Sequence, residues 1–182
     1  MKPTMREPFP PRLEDGDAGP QLADLARGAL VTDARVKGAD LANSDAPELS
    51  LRRVELSGVR LTGAHWTRGS IGDAVFSDCR IDLASFAGTT FERTTFRDCV
   101  LSQADFRDAL FRSVRFDHCD LSEAELGGLR IDGCELRGCT LDGVTGLERL
   151  RGASMPWADV VGNAAELAAA LGIRLLDEEM RY

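Results

Sequence analysis

The chain has 182 residues, with 22 Lys or Arg against 30 Asp or Glu, and its formal net charge is −8. Because nucleic-acid phosphates attract positive charge, this balance argues against direct binding of nucleic acid. No apolar run reaches the roughly 18 residues of a membrane helix, and no basic start followed by an apolar stretch marks a secretory signal. We therefore expect one soluble cytoplasmic domain without membrane contact.

The N-terminal region combines prolines with charged residues. Residues 1–20 contain five prolines and two glycines among charged side chains. This composition is typical of a disordered tail, which we predict for residues 1–20. The segment from Gln21 to Gly28 fits either one helical turn or an irregular first coil.

A five-residue repeat dominates residues 39–143. An apolar residue recurs at every fifth position from Leu41 to Leu141, and a small or β-branched residue lies two positions before most of these centres. The unit Ala104-Asp105-Phe106-Arg107-Asp108 is representative. A period of five matches neither an α-helix, with about 3.6 residues per turn, nor a strand, with a period of about 2. A short fixed repeat instead predicts a solenoid, in which each unit buries its apolar residue against its neighbours.

These units resemble the motif of the pentapeptide-repeat family: a small residue, Asp or Asn, Leu or Phe, a polar residue and often Gly. The resemblance covers roughly residues 29–155. It implies an all-β solenoid, a right-handed quadrilateral β-helix with four pentapeptides, or twenty residues, in each coil. We assign residues 21–155 to this β-helix, and its strongest part to residues 39–143.

The spacing of identical residues supports a coil of twenty residues. The cysteines at 79, 99, 119 and 139 are twenty apart, and so are the alanines at 64, 84, 104 and 124. We predict that each set forms one column, with neighbours about 4.8 Å apart. Phenylalanines 76, 96 and 116 should form another column, and Trp66 should begin a further one with Phe86 and Phe106, with stacked rings. Pro47 cannot donate to a ladder and should lie at a corner or distort one side.

The repeat ends after Gly146, where the register slips by one residue. We predict a short helical cap and a tail over residues 156–182. Asn163 and Glu166 have the spacing of a capping box, and Gly172 is a natural helix stop. The apolar face that should cover the last coil comprises Ala164, Leu167, Ala168 and Leu171.

No residue pattern indicates catalysis or a metal site. The five cysteines are odd in number and include no CxxC pair, which argues against a disulfide scaffold and a zinc site. Four of them occupy inward positions, so we interpret them as apolar fillers. In Asp117-His118-Cys119 the thiol should point inward and the imidazole outward, whereas a nucleophile and its base must be within hydrogen-bond reach. We therefore predict a non-enzymatic protein without a cofactor.

The predicted coil distributes charge unevenly over its four sides. The first side, centred on Leu41, Leu61 and their successors, and the second, centred on Trp66, Phe86 and their successors, each carry five acids and two arginines. The third side, centred on residues 51–131, is arginine-rich with a net charge of +2, and the fourth has −2. The acids of the first two sides are Asp40, Asp45, Glu48, Asp82, Asp105, Asp108, Asp120, Glu123, Glu125 and Asp142.

The family resemblance implies a function in protein binding. Several pentapeptide-repeat proteins bind DNA gyrase or topoisomerase IV as DNA mimics, which makes the ten acids candidate partner-binding residues. The repeat has no inserted loop, as in a mycobacterial member that confers fluoroquinolone resistance and dimerises through its C-terminal ends. The matching candidates for a homodimer are Trp157, Ile173, Leu175 and Leu176. Two alternatives stay open: these residues pack under the cap, and the protein is a structural scaffold with an unrelated protein partner.

Overall fold

The computed structural model describes residues 5–12, 25–174 and 176. Within these residues the repeat forms six strands, followed by a 3₁₀ turn at Leu147–Leu150 and two short helices. The strands are β1 Leu30–Lys37, β2 Ser50–Ser57, β3 Ser70–Ser77, β4 Thr90–Arg97, β5 Leu110–Asp117 and β6 Arg130–Arg137. The helices are α1 Trp157–Gly162 and α2 Ala164–Ala170.

Each strand pairs in parallel with the next along the chain, in the order β1-β2-β3-β4-β5-β6. The partners are twenty residues apart, as in Leu51 with Ile71 and Phe96 with Phe116. Single-residue bridges elsewhere keep the same offset, as in Asp45 with His65. The coil therefore contains twenty residues, and the predicted quadrilateral β-helix is confirmed.

The corners of the coil are residues with positive φ. One such residue occurs in each pentapeptide, two positions after the apolar centre, for example Asn43 at 56° and Gly58 at 62°. Pro47 lies at a corner, where Leu49 N–H donates to Ala46 O over 3.3 Å and Glu48 has φ of 64°. This is the geometry of a type II turn with proline in its second position. The prediction that Pro47 lies at a corner is confirmed.

The interior of the β-helix consists of apolar side chains that stack in columns from coil to coil. All of the apolar centres from Leu41 to Leu141 are buried except Ile131, which is half-buried. Phe96 stacks on Phe76 and Phe116 with ring centroids 4.8 and 5.0 Å away, as predicted. Trp66 instead meets Phe86 edge-on at 83°, because its Nε1–H donates to Ser44 Oγ over 2.9 Å and sets the plane of the indole.

The C-terminal cap follows the predicted register slip. Glu135 bridges to Ser154, nineteen residues away instead of twenty. The capping box is wrong: Asn163 is buried, and its Nδ2 donates to Cys139 O and Asp159 O, at 3.3 and 2.9 Å. Asp159 O also accepts the backbone N–H of Asn163, whereas Cys139 O, at the open end of the ladder, receives its donor from the Asn163 amide.

Helix α2 covers the last coil with a narrower face than predicted. Leu167 and Ala170 pack against the core, whereas Leu171 is 71% exposed. The reason is that α2 ends at Ala170, so Leu171 lies at the cap instead of continuing the apolar face. Gly172 follows with φ of 75°, which confirms it as the stop. None of the helices in the described residues is long and apolar enough to cross a membrane.

For residues 5–12 the structure differs from the predicted disordered tail. These residues lie along the outside of the β-helix, where Phe9 N–H donates to Asp73 Oδ1 and Arg12 N–H donates to Asp33 Oδ1. Residues 1–4 and 13–24 lie outside the described residues, and these include the first half of the segment 21–28. Of the segment 21–28, Gly28 N–H donates to Pro47 O, so its last part joins the ladder as an irregular first coil.

Candidate partner-binding surface

The ten candidate acids all lie on the outside of the β-helix. They flank the buried apolar centres of the first and second sides, so the inward turn of each centre directs them to solvent. Asp82, Asp105 and Asp120 are half-buried, and the other seven are exposed. The structure therefore presents the predicted residues on two adjacent sides.

Ion pairs reduce the negative charge of the first three coils on these two sides. Asp40 pairs with Arg60 of the next coil, Glu48 with Arg27 at 2.5 Å, and Asp82 with Arg80 at 3.7 Å. The first pair involves side chains twenty residues apart, which the coil places one above the other. On the first and second sides, the first three coils are therefore close to electrically neutral.

The following coils carry most of the negative charge. Between residues 99 and 145 the first and second sides present six acids and one arginine, Arg107. Within the described residues Arg107 pairs with Asp105 at 2.9 Å and with Glu125 at 3.0 Å. We call the six residues the acidic patch: Asp105, Asp108, Asp120, Glu123, Glu125 and Asp142. This concentration is hidden when charges are summed over whole sides, because the neutral N-terminal coils and the acidic later coils are then averaged.

Hydrogen bonds hold several patch carboxylates in place. Gln103 Nε2 donates to Glu123 over 2.8 Å, and the N–H of Ser122 donates to Asp120 over 2.9 Å. Burial alone would raise the pKa of Asp105, but donors on Arg107 and Ser85 outweigh it and lower that pKa. Asp105 is therefore ionised at neutral pH.

The arginine-rich third side is less basic than its composition suggests. Arg53 pairs with Asp33 over 2.5 Å and Arg93 with Asp73 over 2.6 Å. Arg52, Arg112 and Arg130 are exposed on this side. The asymmetry between the acidic patch and the third side remains, although paired arginines weaken it.

Acidic pH should destabilise the fold through these paired carboxylates. The pKa of Asp33 falls from 3.8 to about 2, chiefly because Arg53 donates to it and also because the Arg12 N–H does. A carboxyl whose pKa is lower in the folded state stabilises that state above its unfolded pKa, and the stabilisation is lost as the pH falls through the folded pKa. We expect urea midpoints to fall between about pH 4 and pH 2. Asp33→Asn should make the decline shallower in this window, and an unchanged slope would contradict the assignment.

The cysteines form part of the core. All five are free and buried, and Cys99 Sγ donates to Arg97 O over 3.2 Å. Burial raises the pKa of Cys134 and of Cys139 to about 12. His118 is exposed and directed away from the buried Cys119, as predicted, so these two residues do not form a nucleophile and base. In the described part of the chain, no group of three or more His, Cys, Asp or Glu is arranged to hold a metal ion.

Native thiols should therefore resist modification. The thiolate is the reactive form. Burial keeps reagents away from all five thiols, and the raised pKa of Cys134 and Cys139 further suppresses the thiolate at those two positions. We expect an aromatic disulfide reagent to label almost no native cysteine at mildly alkaline pH and all five after denaturation. Thr32→Cys provides an exposed control on β1 and should react at once. Prompt labelling of the wild-type chain would place the cysteines outside the core.

The predicted dimerisation residues lie on the C-terminal cap. Trp157 is 79% exposed, Ile173 55% and Leu176 92%, while Leu175 lies outside the described residues. Within a single chain the three described residues do not pack under the cap. Val161 and Leu171 are also exposed at this end, in addition to the residues predicted from sequence.

The pentapeptide-repeat assignment is confirmed by two family profiles. One, described as a pentapeptide repeat region, matches residues 49–126 and 70–145, which together exceed half of the chain. The other, described as eight copies of pentapeptide repeats, matches residues 27–65. The chain belongs to the pentapeptide-repeat family. No curated protein matches it.

Solved structures of other pentapeptide-repeat proteins are similar at low identity. A thylakoid-lumen protein of Arabidopsis thaliana is 17% identical, over 56% of this chain and 67% of its own, with a TM-score of 0.48. HetL of Nostoc sp. strain PCC 7120, involved in heterocyst differentiation regulation, is 20% identical, over 72% and 74%, with a TM-score of 0.46. Full-length QnrB1, a plasmid-mediated fluoroquinolone resistance protein, is 18% identical, over 80% and 98%, with a TM-score of 0.29.

Proposed function

We propose that this chain is a non-enzymatic cytoplasmic binding protein whose acidic patch occupies a DNA-binding surface of DNA gyrase or topoisomerase IV. The observation that carries the proposal is the concentration of six carboxylates around one arginine on two adjacent sides. The partner is suggested by the family, in which several members bind these enzymes as DNA mimics. The consequence would be altered enzyme activity or protection from quinolone-type inhibitors.

The rigidity of the β-helix favours such binding. Its coils repeat about every 4.8 Å, so the carboxylates of successive coils stand in fixed files. A surface built for DNA presents Lys and Arg to phosphates, which follow each other about every 1.7 Å along the duplex axis. The same donors form charge-assisted hydrogen bonds with carboxylates. Because the backbone is already ordered, little conformational entropy is lost on binding.

A supercoiling assay tests this proposal. We expect added protein to change the rate of supercoiling by DNA gyrase, with and without a quinolone. Asp108→Lys combined with Glu123→Lys should weaken the effect by roughly tenfold or more, because both residues are exposed corners of the patch. No effect of the wild-type protein at a large molar excess would overturn the proposal.

The fourth side offers a matched control for the charge reversals. Asp78 and Asp98 are also exposed and have φ of 53° and 51°, close to the 57° and 58° of Asp108 and Glu123. Replacing both with Lys changes the net charge equally and perturbs the backbone similarly. An equal loss of effect in this control would assign the result to net charge instead of the patch.

The exposed apolar residues of the cap favour a homodimer. Large apolar side chains exposed together often mark an interface, and Trp157, Ile173 and Leu176 are more than half exposed. We propose that two copies meet through this end. Trp157→Glu with Ile173→Glu should shift the sedimentation of a dimer to that of a monomer, whereas Leu30→Glu, at an exposed apolar residue on β1, should not. A wild-type monomer at every concentration would contradict the dimer.

A scaffold with an unrelated partner is the second candidate function. The exposed arginines of the third side and the apolar end favour it, since both are available to a protein other than a topoisomerase. A pull-down from host extract that recovers one other protein, lost on substitution of these residues, would support it. Recovery of gyrase subunits alone would count against it.

A further inference from the structure

Residues 5–12 follow one corner of the β-helix, between the third and fourth sides. The corner consists of one residue from each strand, and all six have positive φ. We call this column the corner track: Asp33, Arg53, Asp73, Arg93, Ser113 and Gly133. The segment runs from the sixth strand, where Met5 Sδ would be 3.4 Å from a β-carbon on Gly133, towards the first.

Two ion pairs build the acceptor groups of the corner track. Arg53 donates to Asp33 through Nε and Nη2, at 2.6 and 2.5 Å, and Arg93 donates to Asp73 in the same way, at 2.6 and 2.9 Å. Each Asp also accepts a backbone N–H from the segment. Phe9 donates to Asp73 Oδ1 over 3.2 Å, and Arg12 donates to Asp33 Oδ1 over 2.8 Å.

The spacing of the two acceptors matches an extended proline segment. Asp33 and Asp73 are two coils apart, or about 9.6 Å at the strand spacing. From Phe9 to Arg12 the chain advances three residues, which is about 9.3 Å in polyproline II geometry. The residues between them are Pro10 and Pro11, which have no N–H and need no acceptor. Every donor of this stretch is therefore satisfied by the track.

Side chains determine the direction of the segment. Glu7 pairs with Arg115 over 2.8 Å, and Arg93 lies over the ring of Phe9, 5.6 Å from its centroid. Pro11 is buried, whereas Phe9 is 60% exposed. These contacts recognise a segment that has an acid, an aromatic residue and two prolines, in that order. They are few and peripheral, so another segment with the same pattern can compete for them.

We propose that the corner track is a docking site for an extended segment of a partner protein with this pattern, and that residues 5–12 fill it until the partner displaces them. The site is independent of the acidic patch, which lies on the first and second sides. It needs no topoisomerase. A partner segment would supply an acid to Arg115, an aromatic ring to Arg93 and two backbone N–H groups to the aspartates.

Fluorescence anisotropy with the full chain tests the proposal. The probe is a labelled peptide with the sequence of residues 3–14, and the competing segment is weakened by Phe9→Ser, Pro10→Gly and Pro11→Gly. We expect the peptide to bind this variant saturably and roughly tenfold or more tightly than the wild-type chain. Melting curves of both chains check that the β-helix is intact, since none of the three residues is in its core.

A double-mutant cycle locates the peptide on the track. Arg115→Gln in the weakened chain and Glu7→Gln in the peptide should each reduce affinity, and together no more than either alone. Equal affinity for the wild-type and weakened chains, no saturable binding to the folded weakened chain, or additive losses would overturn the proposal. A wild-type dimer that the peptide dissociates would also overturn it, because the segment would then be exchanged between two copies.

Discussion

Phe96→Ala is expected to destabilise the β-helix by about 3–5 kcal/mol, the range for removing a buried aromatic ring. Phe96 has no exposed surface and lies between Phe76 and Phe116, with centroids 4.8 and 5.0 Å away. The rigid ladder on either side prevents the neighbouring coils from closing the cavity, because each strand is hydrogen-bonded to the next. The measurement is the free energy of unfolding from a denaturant titration.

Leu30→Ala is the matched control for Phe96→Ala. It also truncates a large apolar side chain on a strand of the sheet, but Leu30 is 69% exposed. Because little of the Leu30 side chain is buried, the substitution removes little buried apolar surface. We therefore expect the free energy of unfolding to fall by less than about 1 kcal/mol. Similar midpoints for the two variants would contradict the inward and outward assignment of the repeat.

Asp73→Asn should have the second largest effect, a destabilisation of about 2–4 kcal/mol. The Asp73 side chain is 3% exposed and that of Arg93 is 17% exposed. An amide keeps the shape of the carboxylate and tolerates the φ of 53° at this corner. The variant therefore removes the charge and leaves Arg93 with Glu92 as its acidic partner. Urea titration at neutral pH measures the loss.

Asp40→Asn shows what an exposed pair contributes. Asp40 also pairs with an arginine of the next coil, but its side chain is 58% exposed and that of Arg60 is 53% exposed. Exposed pairs contribute little because water screens them. The midpoint of this variant should stay close to that of the wild type. A shift as large as that of Asp73→Asn would mean that burial does not determine the strength of these pairs.

The repeat made the core predictable from sequence. Each pentapeptide buries the residue at the same position of the unit. The five-residue period therefore identifies the inward residues from Leu41 to Leu141 and the column of Phe76, Phe96 and Phe116. The corner position of Pro47 and the one-residue slip at Ser154 were predictable for the same reason, since each is a departure from the five-residue repeat.

Contacts that the five-residue repeat does not determine were not predictable. Nothing local shows that Asn163 turns inward to Cys139 O, because that acceptor belongs to the preceding coil. The docking of Phe9 and Arg12 depends on aspartates that are 64 and 21 residues away. A composition-based prediction of disorder does not consider such acceptors.

The charge map of the candidate site was predictable in part. The coil assigned each acid to a side correctly, but the ion pairs required a comparison of residues twenty apart, as in Asp40 with Arg60 and Glu135 with Arg115. A count of charges coil by coil, instead of over whole sides, is what shows the acids to be concentrated in the acidic patch.

Competition for DNA gyrase tests the central claim most directly. If patch carboxylates occupy phosphate positions, the protein and duplex DNA exclude each other on the enzyme. We predict that the apparent Kd of the protein for gyrase rises in proportion to the concentration of added DNA, and that Asp78→Lys with Asp98→Lys leaves this behaviour unchanged. A Kd that stays constant at saturating DNA would contradict the account.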